Sequence, residues 1–231
     1  MSANLRPYVG IPLSDAMQSK SNRFLEAVAA NDKRAGELFY QVILQLTEEV
    51  IDLLLVQTIS IARMNAMAQK VVQVCATTSN KASSLLSAKI YKGARLADMV
   101  KVGQFWRGML RNETADQTGQ WYLAIPVESR LAQGLDAILA ERGQSSGFAP
   151  RDVEGLAAKY DILMKMIIDE FFLGPAAFVD MGMVTRKMLN LGADGVQQAA
   201  HAVVHKVVKK LEPEPMAAYV DHTTRFYVRL P

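Results

Sequence analysis

The chain has one cysteine, Cys75, so no disulfide can staple it internally. It has three histidines, two of them close together, and no Glu-x-x-His pair of the kind that helical di-metal carboxylate proteins use. It has no phosphate-cradling glycine loop of either standard form. The densest apolar run reaches only from Leu53 to Ala62, between Asp52 and Arg63. That is well short of the roughly 18–20 residues a membrane span needs. The opening residues, Met1-Ser-Ala-Asn-Leu-Arg-Pro, lack the apolar centre of a secretory signal. Internal repeats and low-complexity tracts are also missing. Together these absences argue against a disulfide scaffold, a nucleotide-loop enzyme and a membrane span. They leave the expectation of a cytoplasmic protein that needs no cofactor and no metal.

What the chain does have is apolar content: half of its 231 residues, with charged residues at 21%. A chain this apolar often hides part of its surface against a partner. Twelve methionines suit adaptable packing. The stretch from Lys33 to Thr77 has no proline and a single glycine, Gly36. Its polar residues Gln41, Gln45, Glu48, Glu49 and Asp52 fall on one narrow helical stripe. A helix apolar around most of its circumference is buried by several neighbours. The pattern therefore predicts an all-α multi-helix bundle around one long central helix, about 33–77.

Around that hub, Ser14 reads as the cap of a first helix ending near Ala30, with Asn31-Asp32 as a break. The weak helix formers Ala76 to Asn80 predict the end of the hub and a new start at Ser79 or Asn80. A helix from about Arg95 to Arg111 is weakened by Gly103 and Gly108. Residues 112–120 are the most polar and least periodic. They suggest two halves, 1–111 and 121–231, which one continuous domain could also accommodate. Helices are expected at about 127–142, from Pro150 or Arg151 to Leu173, over a methionine-rich 175–191 closed by Gly192, and from Asp194 to Leu211. Extended pieces near 7–13, 121–125 and 223–230 predict a minor two- or three-stranded ribbon leaning on the helices.

The charge is uneven. Lys81, Lys89, Lys92, Arg95, Lys101, Arg107 and Arg111 stand against one acid, Asp98, so this segment carries +6 while the rest of the chain is net −3. With Ser83, Ser84 and Ser87 between them, these bases make a candidate surface for polyanions, DNA or RNA. A second basic cluster comprises Arg186, Lys187, Lys206, Lys209 and Lys210. His201 and His205 share a helix face, but no third ligand lies nearby in sequence, so the pair reads as a solvated face. Gly143 to Gly147 spells G-x-S-x-G without the strand that a nucleophile elbow needs. Cys75, among valines, reads as core. Asn112-Glu113-Thr114 matches the glycosylation pattern.

The leading expectation is a non-catalytic helical protein that assembles with itself or a protein partner, using Phe178, Met181 and Met188 or the tail around Phe226. A nucleic-acid-binding accessory protein using residues 81–111 comes second, and an enzyme third.

Overall fold

The structure, a computed structural model, describes residues 5–61, 63–114, 116–144, 153–206 and 208–231. It is mostly helical, with one small antiparallel sheet. β1 (Arg6–Pro12) leads into α1 (Asp15–Ala29). Ser14 caps α1 as its sequence predicts, its hydroxyl accepting from the Met17 amide at 3.0 Å. Asn31 then turns the chain with φ 54, a backbone state asparagine tolerates.

The long central helix is not one helix. α2 (Ala35–Ile51) runs into a wide π-helical turn (Asp52–Val56) and the short α3 (Gln57–Ile61). The chain then breaks at Arg63, whose φ is 46, before α4 (Ala66–Tyr91) begins. Asn65 caps α4 by accepting from the Ala68 amide at 3.0 Å. α4 does not stop at Ala76–Asn80. Ser79 is buried there and the helix runs on to Tyr91, so tertiary packing overrides weak local propensity.

α2 and α4 fold back on each other as a hairpin. Gly36 lies against the Tyr91 carbonyl at one end, and Thr47 shares a hydrogen bond with Ser83 at 2.7 Å farther along. α5 (Leu96–Met109) then leads to β2 (Leu110–Asn112), which pairs with β3 (Trp121–Pro126). Residues 113–114 and 116–120 thus lie in the connection of a hairpin. Asn112 closes it by donating from Nδ2 to the Gly119 carbonyl at 2.8 Å and accepting the Thr114 amide at 2.9 Å.

After α6 (Ser129–Gln144) comes α7 (Val153–Ile167), which widens into a second π-helical turn (Ile168–Leu173). Gly174-Pro175 does not break it. α8 (Gly174–Ala176) continues the path, since proline is tolerated in a first helical turn. The helix predicted at 175–191 starts only at Met183, residues 177–182 being non-helical, and its second half joins the one predicted at 194–211 as α9 (Met183–Lys206). Gly192 is no C′ residue. A Cβ there would come 2.5 Å from Leu86 Cδ1, so glycine lets α9 approach α4. Pro213 and Pro215 open α10 (Pro213–Thr223) as well as ending what precedes it. β4 (Tyr227–Leu230) closes the chain. Residues 145–152, which hold most of the G-x-S-x-G match and the expected helix start, lie outside the described residues.

The sheet has strand order β2-β3-β1-β4. The three expected extended pieces are present, β4 in shortened form because residues 224–226 form a 3-10 turn. β2 was not anticipated. One core cluster joins Val9, Phe24, Phe39 and Trp106 with Leu123, Phe171 and Phe226, so both halves of the sequence contribute to it. A second cluster gathers α7, α9 and α10 against Ile51, Leu55 and Val72.

Asp98 ties this frame together at the start of α5. It is 4% exposed, takes Arg95 Nε at 3.1 Å and accepts the Asp180 amide at 3.4 Å. The Arg95 guanidinium holds its carboxyl below the usual aspartate range, against the opposing effect of burial. A carboxylate whose pKa is depressed on folding stabilises the fold above its unfolded pKa, and that stabilisation is lost as pH falls through the folded value. Acid melts should therefore show wild type losing stability below about pH 4, the unfolded aspartate value. Asp98→Asn should start less stable and show a shallower acid limb. An unchanged acid limb would show that Asp98 adds nothing.

Candidate functional site

Twelve large apolar side chains are exposed among the described residues, and eight lie on α4 and α9: Met67, Val71, Val74, Leu85, Met183, Val184, Met188 and Leu191. Their spacing has a cause. On α4, Met67, Val71, Val74 and Leu85 recur at near-whole-turn intervals and fall on one flank. On α9, Val184, Met188 and Leu191 do the same. The helices run antiparallel: Leu86 meets Gly192, and Lys89 Nζ lies 3.7 Å from Met188 Sδ.

The inward flanks of this pair, including Ser79, Ala82, Leu86, Leu189 and Val196, line a central apolar cavity of about 90 Å³. A second cavity of about 60 Å³ adjoins it through Leu54, Leu55, Met164, Ile167 and Ala200. Small-molecule sites run to roughly 300–1,000 Å³. These voids are far smaller, so they read as packing gaps beside the two π-helical turns. The outer flanks are different: their large apolar side chains are exposed among the described residues, in two groups on α4 separated by the exposed Thr78 and Lys81.

The interface residues expected from sequence are divided by the fold. Met188 is on this outer face. Phe178 is 38% exposed, its ring 5.4 Å from Phe105. Met181 is half-buried against the core. Phe226 is buried, edge-on to His222 at 5.5 Å, so it has no surface to offer. Val74, Leu85 and Leu191 were missed, because an apolar residue on a helix reads as core until its neighbours are known.

The seven bases are not one patch. Lys92 pairs with Glu37 at 3.5 Å and sits over the Tyr40 ring. Arg95 is taken by Asp98 and by Asp180 at 3.2 Å. Arg111 is half-buried, its guanidinium 5.9 Å from the Tyr8 ring centre. Lys89 faces Met188. Lys81, Lys101 and Arg107 are exposed and carry no ion pair among the described residues. The acids Glu49 and Asp52 have local partners instead: Gln45 at 2.8 Å and Gln57 at 2.7 Å. In the second basic cluster, Lys209 is paired with Glu154, and Arg186 and Lys187 are exposed.

Cys75 is buried and its thiol is raised by that burial, which makes it a poor nucleophile. His222 is buried far along the chain from the histidine pair, its Nε2 2.6 Å from the Leu53 carbonyl in the first π-helical turn. His201 and His205 both reach Asp161 of α7, which sequence reasoning did not connect with them. No helix among the described residues is long and apolar enough to cross a membrane. No protein-family model, curated protein or solved structure matches the chain.

Proposed function

We propose that this is a non-catalytic helical protein that works by pairing with a second copy of itself through the outer face of α4 and α9. The observation that carries the reading is the concentration on these two helices of eight of the twelve large apolar side chains exposed among the described residues. Two antiparallel helices with one bare apolar side need another pair to close a four-helix arrangement. A twofold axis supplies it, since the same patch then serves both copies.

Charge does not distinguish the two ends: Lys81, Lys89, Arg186 and Lys187 sit where α4 finishes and α9 starts, and Lys70, Lys209 and Lys210 sit at the other end, where Glu214 already pairs with Arg63 at 3.1 Å. A twofold axis normal to the helices sets α4 against α4 of the second copy with the ends reversed. The single buried cysteine suits a cytoplasmic setting for such an assembly.

Light scattering tests this. Wild type at tens of micromolar should show twice the 25.5 kDa chain mass. Leu85→Glu with Leu191→Glu should return the single-chain mass with an intact helical spectrum, because both side chains are exposed in the single copy. A wild type that stays monomeric removes the proposal.

A polyanion reading rests on Lys81, Lys101 and Arg107, the exposed bases of residues 81–111 that form no ion pair and no sulfur or ring contact among the described residues. Phosphate contact by all three should give a slope of log affinity against log salt of about −3. No retardation of DNA or RNA at low salt would end that reading.

A further inference from the structure

We propose that Asp161, His201 and His205 form a site for a divalent transition-metal ion of the zinc, cobalt or nickel type, clamping α7 to α9. The histidines are one turn apart on α9, and Asp161 comes from the neighbouring helix. His201 Nδ1 lies 3.0 Å and His205 Nε2 2.8 Å from the same carboxylate oxygen, Asp161 Oδ2. All three ligand atoms fall within 4.8 Å of one another. The imidazoles are stacked, with centroids 3.9 Å apart and planes 26° from parallel.

These separations fit a metal. Zinc binds histidine nitrogen and carboxylate oxygen at about 2.0–2.2 Å, which places tetrahedral ligands about 3.3 Å apart. The nitrogens need to withdraw from the oxygen by only a few tenths of an ångström to admit the ion. Both helices are anchored on either side of the site. Leu163, Ile167, Ala200 and Val204 pack inward, and Lys209 pairs with Glu154 near the start of α7. The ligand set therefore does not have to be gathered from a loose chain. Its chemistry selects the ion: two imidazoles favour zinc, cobalt or nickel, whereas calcium and magnesium take oxygen ligands.

Three protein ligands leave at least one coordination position. His201 is 57% exposed at its side chain, so that position opens to solvent and a water would fill it. His222 cannot be a fourth ligand, being buried against Leu53 and Phe226. The site is independent of the proposed dimer, since it joins α7 to α9 rather than one copy to another.

Titration calorimetry with zinc chloride, on the full chain without any histidine tag, tests this. One equivalent should bind, and a hundredfold excess of calcium should not displace it. Cobalt should give the intense visible bands of a four-coordinate site. His201→Gln, His205→Gln and Asp161→Asn should each weaken zinc binding at least tenfold. Paramagnetic nickel line-broadening provides a readout that needs no variant: the ring protons of His201 and His205 should broaden and those of His222 should not. Unchanged zinc affinity in the His201→Gln, His205→Gln double variant would overturn the proposal. So would broadening that spares both residues, or the absence of binding at 100-fold molar excess of zinc.

Discussion

Phe39→Ala is expected to lower the melting temperature by about 10–15 °C, from a loss of about 4–5 kcal/mol. Phe39 is 0% exposed and stands where three other aromatic rings meet. Its ring centre is 4.6 Å from Phe24, 4.9 Å from Tyr91 and 5.3 Å from Trp106, the last two edge-on. These partners come from α1, α4 and α5, so one side chain holds four helices in register. Truncation removes its own burial and leaves a void lined by rings too large and too fixed to collapse into it. Edge-to-face contacts add about 0.5–1.5 kcal/mol per pair. Trp106 also donates from Nε1 to Ser21 at 3.2 Å, which pins it and limits repacking. Thermal melts followed by circular dichroism check this. A fall of only a few degrees would show that the cluster relaxes, and that α2 is not the centre of the fold.

Gly36→Ala should destabilise by about 2–3 kcal/mol, although alanine is the better helix former by about 1 kcal/mol. The cause is the close approach of α2 to the end of α4. A Cβ on Gly36 would lie 2.3 Å from the Tyr91 carbonyl oxygen, which is backbone and cannot rotate away. The two helices must separate or bend to admit the methyl. Gly108→Ala is the control. It lies in α5, is exposed, and has nothing within 4 Å of its added Cβ. That change should stabilise by up to about 1 kcal/mol. The two substitutions are the same in sequence and opposite in expected sign. Denaturant titration of both separates packing from propensity, and a stabilised Gly36→Ala would refute the close approach.

The mostly helical class and the position of the extended pieces were legible because periodicity and turn residues are local. Ser14 is an example: cap, acid and first turn are adjacent in sequence. The unbroken hub was misread for a physical reason. Residues 62–65 contain neither glycine nor proline, yet Arg63 adopts a positive φ and Asn65 caps the next helix. Asn65 offered a signal, since its side chain suits an N-cap, but the apolar run around it hid the break. Gly192 was read as a stop because glycine ends helices. Here it is a contact point, and Leu86, the residue it serves, is more than a hundred positions away. Candidate-site residues were least legible. Asp161 and the histidines meet only once α7 packs on α9. The outer face of α4 and α9 looks in sequence like any buried face. The basic segment read as one patch because the partners of Lys92 and Arg95 are distant in sequence or on another turn.

The proposed pairing of two copies across α4 and α9 is tested most directly by a distance between copies. Thr78 is exposed and lies on the same flank of α4, between Val74 and Leu85. In an end-reversed twofold pair, that position faces its own counterpart. Paired helices lie about 8–10 Å apart, so spin labels on Thr78→Cys should report a short inter-copy distance, at most about 20 Å, by electron resonance. Cys75, being buried, should remain unlabelled in the wild-type control. A sharp distance within that range is the predicted result. A decay with no inter-copy coupling at tens of micromolar, or a long and broad distribution, would contradict the α4–α9 interface.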